Sequence, residues 1–166
     1  MYHTIKDFLN DWTYENESTM KVFRTLIDTS LGQKITPEGR SLGFLAWHIV
    51  LTLGEMGAKA GLNITAPPED TVVPEHTADI VSAYEKAGAS VAAEVKRTWT
   101  DAMLSELIDM YGEQWTRAAA LASLVKHQIH HRSQMTVLMR QAGLKVPGIY
   151  GPSLEEWSQF GMKAPE

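Results

Sequence analysis

The sequence predicts an all-α fold, an antiparallel four-helix bundle in a single domain over residues 1–166, and three features carry that expectation. Apolar residues recur every three or four positions over four stretches of about 20 or more residues, which is the period of an α-helix. Segments rich in glycine, proline and polar residues separate those stretches. No segment reads convincingly as a strand, and consecutive helices joined by loops bury their apolar stripes against one another as an antiparallel bundle.

The first helix is expected from about Thr4 to Leu31. Thr4 is a suitable N-cap, and Ile5, Phe8, Leu9, Trp12, Phe23, Leu26 and Ile27 form the stripe. Its middle turns are interrupted, because helical steps from Trp12 land on Glu15 or Asn16 and then on Thr19. Polar groups on a core-facing stripe need partners. A small rotation that hands them to water is the simpler expectation; the alternative turns Asn16 or Thr19 toward a polar cavity near a metal.

Residues 32–40 contain Pro37 and two glycines and read as a loop, with Thr36 and Ser41 as alternative starts for the second helix, expected from Ser41 to about Ala60. Leu42, Leu45, Ile49 and Leu53 make its stripe, and His48 lies on an adjoining edge. A histidine in such apolar surroundings is neutral, hydrogen-bonded or metal-bound, and alone it reads most simply as structural. Glu55, two turns on, reads as a solvated surface charge rather than a carboxylate supporting a site. Residues 61–76 form a proline-rich, acidic loop with His76 exposed. Thr77 is the expected cap of a third helix, whose core stripe is Ile80, Tyr84, Ala87, Val91 and Val95. From Trp99 to Trp115 the pattern is less regular, with a short helical turn expected through Leu104 and Leu107, before Thr116 caps the fourth helix.

That fourth helix, Ala118 to Gly143, contains no proline and places Leu121, Leu124, Val125, Ile129, Met135, Leu138 and Met139 at helical spacing. Gly143 stands where a left-handed cap belongs. The glycines and prolines that follow exclude further helix before Ser153, and Tyr150 and Trp157 are expected to pack the tail back onto the helices.

The centre of the fourth helix carries His127, His130 and His131. At about 100° per residue, His127 and His131 lie roughly 40° apart and one turn apart in height. His130 lies about 60° from His127 on the opposite side. The i, i+4 pair can therefore converge on one divalent metal while His130 points elsewhere, and a third ligand must come from another element. The plain alternative is that the histidines only pack.

Composition narrows the possibilities. The formal net charge of -5 and a pI near 5.7 argue against a nucleic-acid partner, which needs a basic face. With no cysteine, disulfides and thiolate sites are excluded, so any metal uses nitrogen and oxygen ligands. The N-terminus MYHTIKDFLNDW is neither basic nor continuously apolar, and no apolar run approaches the roughly 18 residues of a membrane span. The expectation is a cytoplasmic protein without a membrane segment.

The second-helix AWHI, the fourth-helix HQIHHRSQMTVLMRQAGLKVP and the tail IYGPSLEEW together resemble the DinB-like family of metal-dependent enzymes, and the resemblance spans nearly the whole chain. Its most specific part is the histidine pair followed by His-Arg-x-Gln spacing, Arg140, Gly143 and Pro147. The resemblance implies that His48, His127 and His131 bind a divalent metal, zinc or nickel foremost, with iron or manganese as alternatives. Ser133 replaces the glycine of the family's HHRGQ pattern, a change that a mid-helix position tolerates. Three neutral nitrogens leave coordination positions open, as at a catalytic site. The resemblance further implies a homodimer and a small-molecule substrate, foremost a low-molecular-weight thiol activated for transfer or isomerisation. A metal-dependent hydrolase using metal-bound water and a non-catalytic metal- or ligand-binding stress protein are the alternatives.

Overall fold

Four helices carry most of the chain: α1 (Ile5–Phe23), α2 (Leu42–Lys59), α3 (Thr77–Thr98) and α4 (Arg117–Gln141). The computed structural model describes residues 1–165. α1 and α2 each pack against both α3 and α4. The fully buried large side chains come from all four helices, among them Phe8, Trp12 and Phe23 of α1, Leu42, Ile49 and Leu53 of α2, Ile80 and Tyr84 of α3, and Leu121 and Met135 of α4. Each such burial stabilises the fold by about 1.5–3 kcal/mol. Three of the expected caps form: Thr4 in a reciprocal capping box with Asp7, Ser41 accepting from the Phe44 N–H, and Thr116 accepting from the Ala119 N–H. Gly143 has φ 75°, the left-handed conformation that ends α4. No helix is long and apolar enough to cross a membrane.

Three boundaries differ from the sequence reading. α1 stops at Phe23, not Leu31, and the chain continues through an extended Ile27 into a 3-10 turn at Asp28–Ser30. Leu26 is buried in the connection before that turn, whereas Ile27 is half exposed, so apolar spacing had outrun the helix. Second, the residue at the N-cap position of α3 is His76, which makes no side-chain cap bond. Asp28 supplies the acceptor instead, receiving hydrogen bonds from the Thr77 N–H at 2.8 Å and the Thr77 hydroxyl at 2.9 Å. The early end of α1 thereby caps α3 from outside.

The third difference makes the fold mostly helical rather than strictly all-α. After a 3-10 turn at Asp101–Ser105, residues Leu107–Met110 (β1) and Glu113–Thr116 (β2) form an antiparallel hairpin in which Ile108 faces Trp115 and Met110 faces Glu113. Its turn residues, Tyr111 and Gly112, both have positive φ (61° and 84°), as a tight two-residue hairpin requires. The tail carries a 3-10 turn at Trp157–Phe160, and Tyr150 ties it back to α4.

Candidate metal centre

The packing of α2 against α4 brings His48 to the histidine pair of α4. His127 Nε2 lies 3.3 Å from His48 Nε2 and 3.2 Å from His131 Nε2, and all three ligand nitrogens lie within 4.8 Å of one another. Among the described residues this is the group of histidine and carboxylate side chains arranged to hold a metal ion. His131 is buried; His48 and His127 are partly exposed.

The donor set fits a divalent cation. Zinc–nitrogen bonds of about 2.0–2.1 Å at tetrahedral angles separate two ligand nitrogens by about 3.3 Å. The two close Nε2 separations match that edge. A proton on His127 Nε2 satisfies one neighbour at a time, whereas a cation among the three nitrogens is met by each lone pair. The tautomer of His131 suits the same role: its Nδ1–H donates to the Gln134 amide oxygen at 2.8 Å, leaving Nε2 bare and aimed at the cluster. The Gln134 amide nitrogen in turn donates to His130 Nε2 at 3.1 Å, which keeps that exposed ring outside the group, as the helical geometry required.

The electrostatics keep the rings neutral at pH 7. Burial lowers the pKa of His48 to about 4, with smaller contributions from His131 and Arg40. Burial likewise lowers His127 to about 4, assisted by the neighbouring histidines and Arg40. His131 is also lowered, again mainly by burial, against a weaker upward pull from its hydrogen bond to Gln134. Arg40 sits over the Phe44 ring, 5.1 Å from its centroid, and Phe44 stacks nearly parallel on His48 with centroids 5.9 Å apart.

A cleft of about 410 Å³ lies between the loop before α2 and the face of α4, lined by Ile35, Thr36, Gly39, Arg40, Leu45, Gln134, Val137 and Leu138. Gln134 thus touches both the cleft and the histidine group.

The polar interruption of α1 has a different explanation from the one the sequence favoured. Glu15 and Thr19 are not handed to water; both are buried, with Arg132 of α4 between them. The Arg132 guanidinium donates to Glu15 Oε2 at 2.6 Å, to the Glu15 carbonyl at 3.1 Å and to the Thr19 hydroxyl at 3.1 Å. Tyr150 closes the network, accepting from Arg132 at 2.8 Å and donating to Glu15 Oε1 at 2.6 Å. Burial and the Glu15 carboxylate push the Tyr150 phenol up to about 12. Because Arg132 follows His131 in sequence, this ion pair fixes the turn of α4 that carries the histidines. Glu55 behaves as a peripheral charge, accepting from the Tyr111 hydroxyl at 2.8 Å and lying 4.0 Å from Lys59.

The model of the DinB family matches residues 1–164. The chain belongs to the DinB family. Within it, the chain is 44% identical over 166 residues to the protein YrdA of Bacillus subtilis (strain 168), an alignment covering 100% of this chain and 99% of that protein. It is similar in structure to a DinB-like protein from Bacillus cereus ATCC 10987, with TM-score 0.87 and 43% identity over 90% of this chain and 100% of that one. A second DinB-like protein, YjoA of Bacillus subtilis, shares the fold at TM-score 0.65 and 17% identity, covering 86% of this chain and 97% of that one. The three histidines that the DinB resemblance selects are the three that the fold brings together. Gln134 was visible in the sequence as the last residue of the His-Arg-x-Gln pattern, but its contact with His131 was not assigned. Phe44, one turn before His48, carried a signal only in hindsight of its stacking.

Proposed function

We propose that His48, His127 and His131 hold a divalent metal, zinc or nickel foremost and iron or manganese next, and that the protein uses it to activate a low-molecular-weight thiol. The observation that carries this reading is the convergence of three neutral Nε2 atoms, joined through the Gln134–His131 hydrogen bond to a largely apolar cleft. A cation held there supplies Lewis acidity that lowers the pKa of a thiol brought against it, so that the nucleophilic thiolate meets its electrophile at neutral pH.

The chain's own residues do the rest. Gln134 holds His131 in the tautomer that directs Nε2 inward. Phe44 lies nearly parallel to the His48 ring and links it to Arg40. Ile35, Val137 and Leu138 give an organic substrate an apolar wall. In the transfer, the thiol loses its proton to solvent, sulfur bonds to the electrophilic carbon and the leaving group departs with the bonding pair. No carboxylate lines the cleft among the described residues, so the cleft itself offers no carboxylate base for water attack. That favours the thiol over the hydrolytic alternative.

Family membership also supports reading the helices as an antiparallel bundle in one domain and the protein as a homodimer, which light scattering on the purified chain tests. The deciding experiment for the site is metal content by plasma mass spectrometry on untagged protein, beside His48→Ala and His131→Ala. Near-stoichiometric metal, lost in both variants, is the expected result. Conjugation of small thiols to monochlorobimane by the metal-loaded protein then tests the chemistry. Metal binding without turnover of any thiol would leave the non-catalytic binding alternative.

A further inference from the structure

Arginines in this protein are mostly spoken for. Arg97, Arg117, Arg132 and Arg140 each pair with a glutamate. Arg40 has no carboxylate within ion-pair distance among the described residues; its guanidinium rests on the Phe44 ring, a contact that leaves its N–H edges free. Arg24 is also without a glutamate partner, but its cavity is shared with Glu17 and Glu85, which repel an anion. The Arg40 cleft contains no acidic side chain among its lining residues.

The rest of that cleft is apolar and open. Ile35 and Val137, two of its walls, are 66% and 49% exposed and so present aliphatic surface to whatever enters the cleft. The cleft also adjoins the histidine group on two sides. Gln134 lines it while bonding His131, and Arg40 is joined to His48 through the Phe44 stack. A ligand lying in it meets the Arg40 guanidinium and aliphatic walls, with Gln134 joining the cleft to the histidine group.

We propose that this cleft is a binding site for small organic anions, in which Arg40 takes a carboxylate and Ile35, Val137 and Leu138 cover the aliphatic body. The inference deepens the thiol reading, on which it rests for the sulfur end only: the thiol that reaches the histidines is an acidic one. Arginine suits the role because its planar fork meets both oxygens of a carboxylate. The protein's overall charge of -5 does not draw anions in, so selectivity depends on this one side chain.

The test uses matched pairs of ligands on the full chain, followed by NMR titration of the Val137 and Leu138 methyl groups. Mercaptopropionate and mercaptopropanol differ in the carboxylate alone, and hexanoate and hexanol repeat the comparison without sulfur. On zinc-loaded protein, mercaptopropionate should bind about ten-fold more tightly than mercaptopropanol, the scale of one charge-assisted bond at a partly exposed site. Arg40→Gln should erase that preference while leaving mercaptopropanol affinity and zinc content unchanged, and Arg40→Lys should keep part of it. Val137→Glu, which puts a carboxylate into the cleft without touching Arg40, should weaken the acid selectively. Equal affinities within each pair on the native protein, or a preference that survives Arg40→Gln, would overturn the proposal. Preference for hexanoate on metal-free protein without any thiol binding would sustain the anion site and count against the thiol reading. Thiol binding without a carboxylate preference would do the reverse.

Discussion

Gln134 is the residue on which the histidine group's orientation depends. Its amide oxygen accepts from His131 Nδ1 and so leaves the other ring nitrogen with a lone pair facing the cluster. Outer partners of this kind are worth about 10–100-fold in metal affinity. Gln134→Leu should therefore weaken zinc binding by about that factor in a chelator competition, while Gln134→Glu, which keeps an acceptor, should stay close to the native value. Equal affinity in the leucine variant would show that the hydrogen bond does not govern the site. The neighbouring Arg132 poses a different question, since a buried ion pair is costly to break but not intrinsically stabilising. Arg132→Met leaves Glu15 buried without its partner, and should lower the unfolding free energy by about 3–5 kcal/mol in urea titration. Tyr150→Phe, which removes two hydrogen bonds and leaves the ion pair, should cost only about 1–3 kcal/mol. The sequence disclosed His127 and His131 through their spacing alone, and the family resemblance supplied His48. It did not disclose the Glu15–Arg132 pair. The gap in the α1 stripe was visible, but the partner lies 117 positions away, and helical periodicity carries no information across that distance.

Elements that end on a side-chain contact from elsewhere were the hardest to read. Leu26 and Ile27 continue the apolar spacing of α1, yet the helix stops at Phe23 and the chain beyond it places Asp28 at the start of α3. The hairpin escaped for another reason: each strand has four residues, too few for an alternating pattern to stand out, and Tyr111 occupies a left-handed position where asparagine or glycine would have signalled the turn. Helices with internal stripes and their own caps, α2 and α4 above all, were legible almost to the residue. The Asp28 contact makes a pH prediction. Hydrogen bonds from His76 first, then from Thr77, hold the Asp28 carboxyl at about 2, below its ordinary 3.8. A depressed acid stabilises the fold fully above its unfolded value and loses that contribution as pH falls through the folded one. His76 is raised by the same carboxylate, so its contribution is present below 6.5 and fades as pH rises through the raised value. The melting-temperature gap between the native protein and Asp28→Ala should therefore be widest between about pH 4 and 6, shrink moderately toward pH 8 and shrink again toward pH 2. A gap independent of pH would remove the ion pair from the account and leave Asp28 as a neutral cap.

At the scale of the whole molecule, the three nitrogens come from two helices that are far apart in sequence, so a cation among them would tie α2 to α4 as well as complete a site. A ligand that binds only the folded chain raises its stability by RT ln(1 + [L]/Kd), about 4 kcal/mol when the free metal stands a thousand-fold above Kd. For a chain of this size that corresponds to a rise in melting temperature of about 8–16 °C. Zinc or nickel added to chelator-stripped protein should produce a rise of this order, and chelator should reverse it. His48→Ala separates the cross-link from simple attraction of metal to α4. It leaves His127 and His131 as a two-ligand site on one helix, too weak to keep its metal through purification but filled when metal is added in excess. There the metal is retained partly in the unfolded state and no longer spans the core. In that variant the shift should fall to a few degrees at most, even at metal concentrations that saturate the remaining pair. A full shift without His48 would mean that the metal stabilises α4 alone, and the packing of α2 against α4 would then owe nothing to the histidine group.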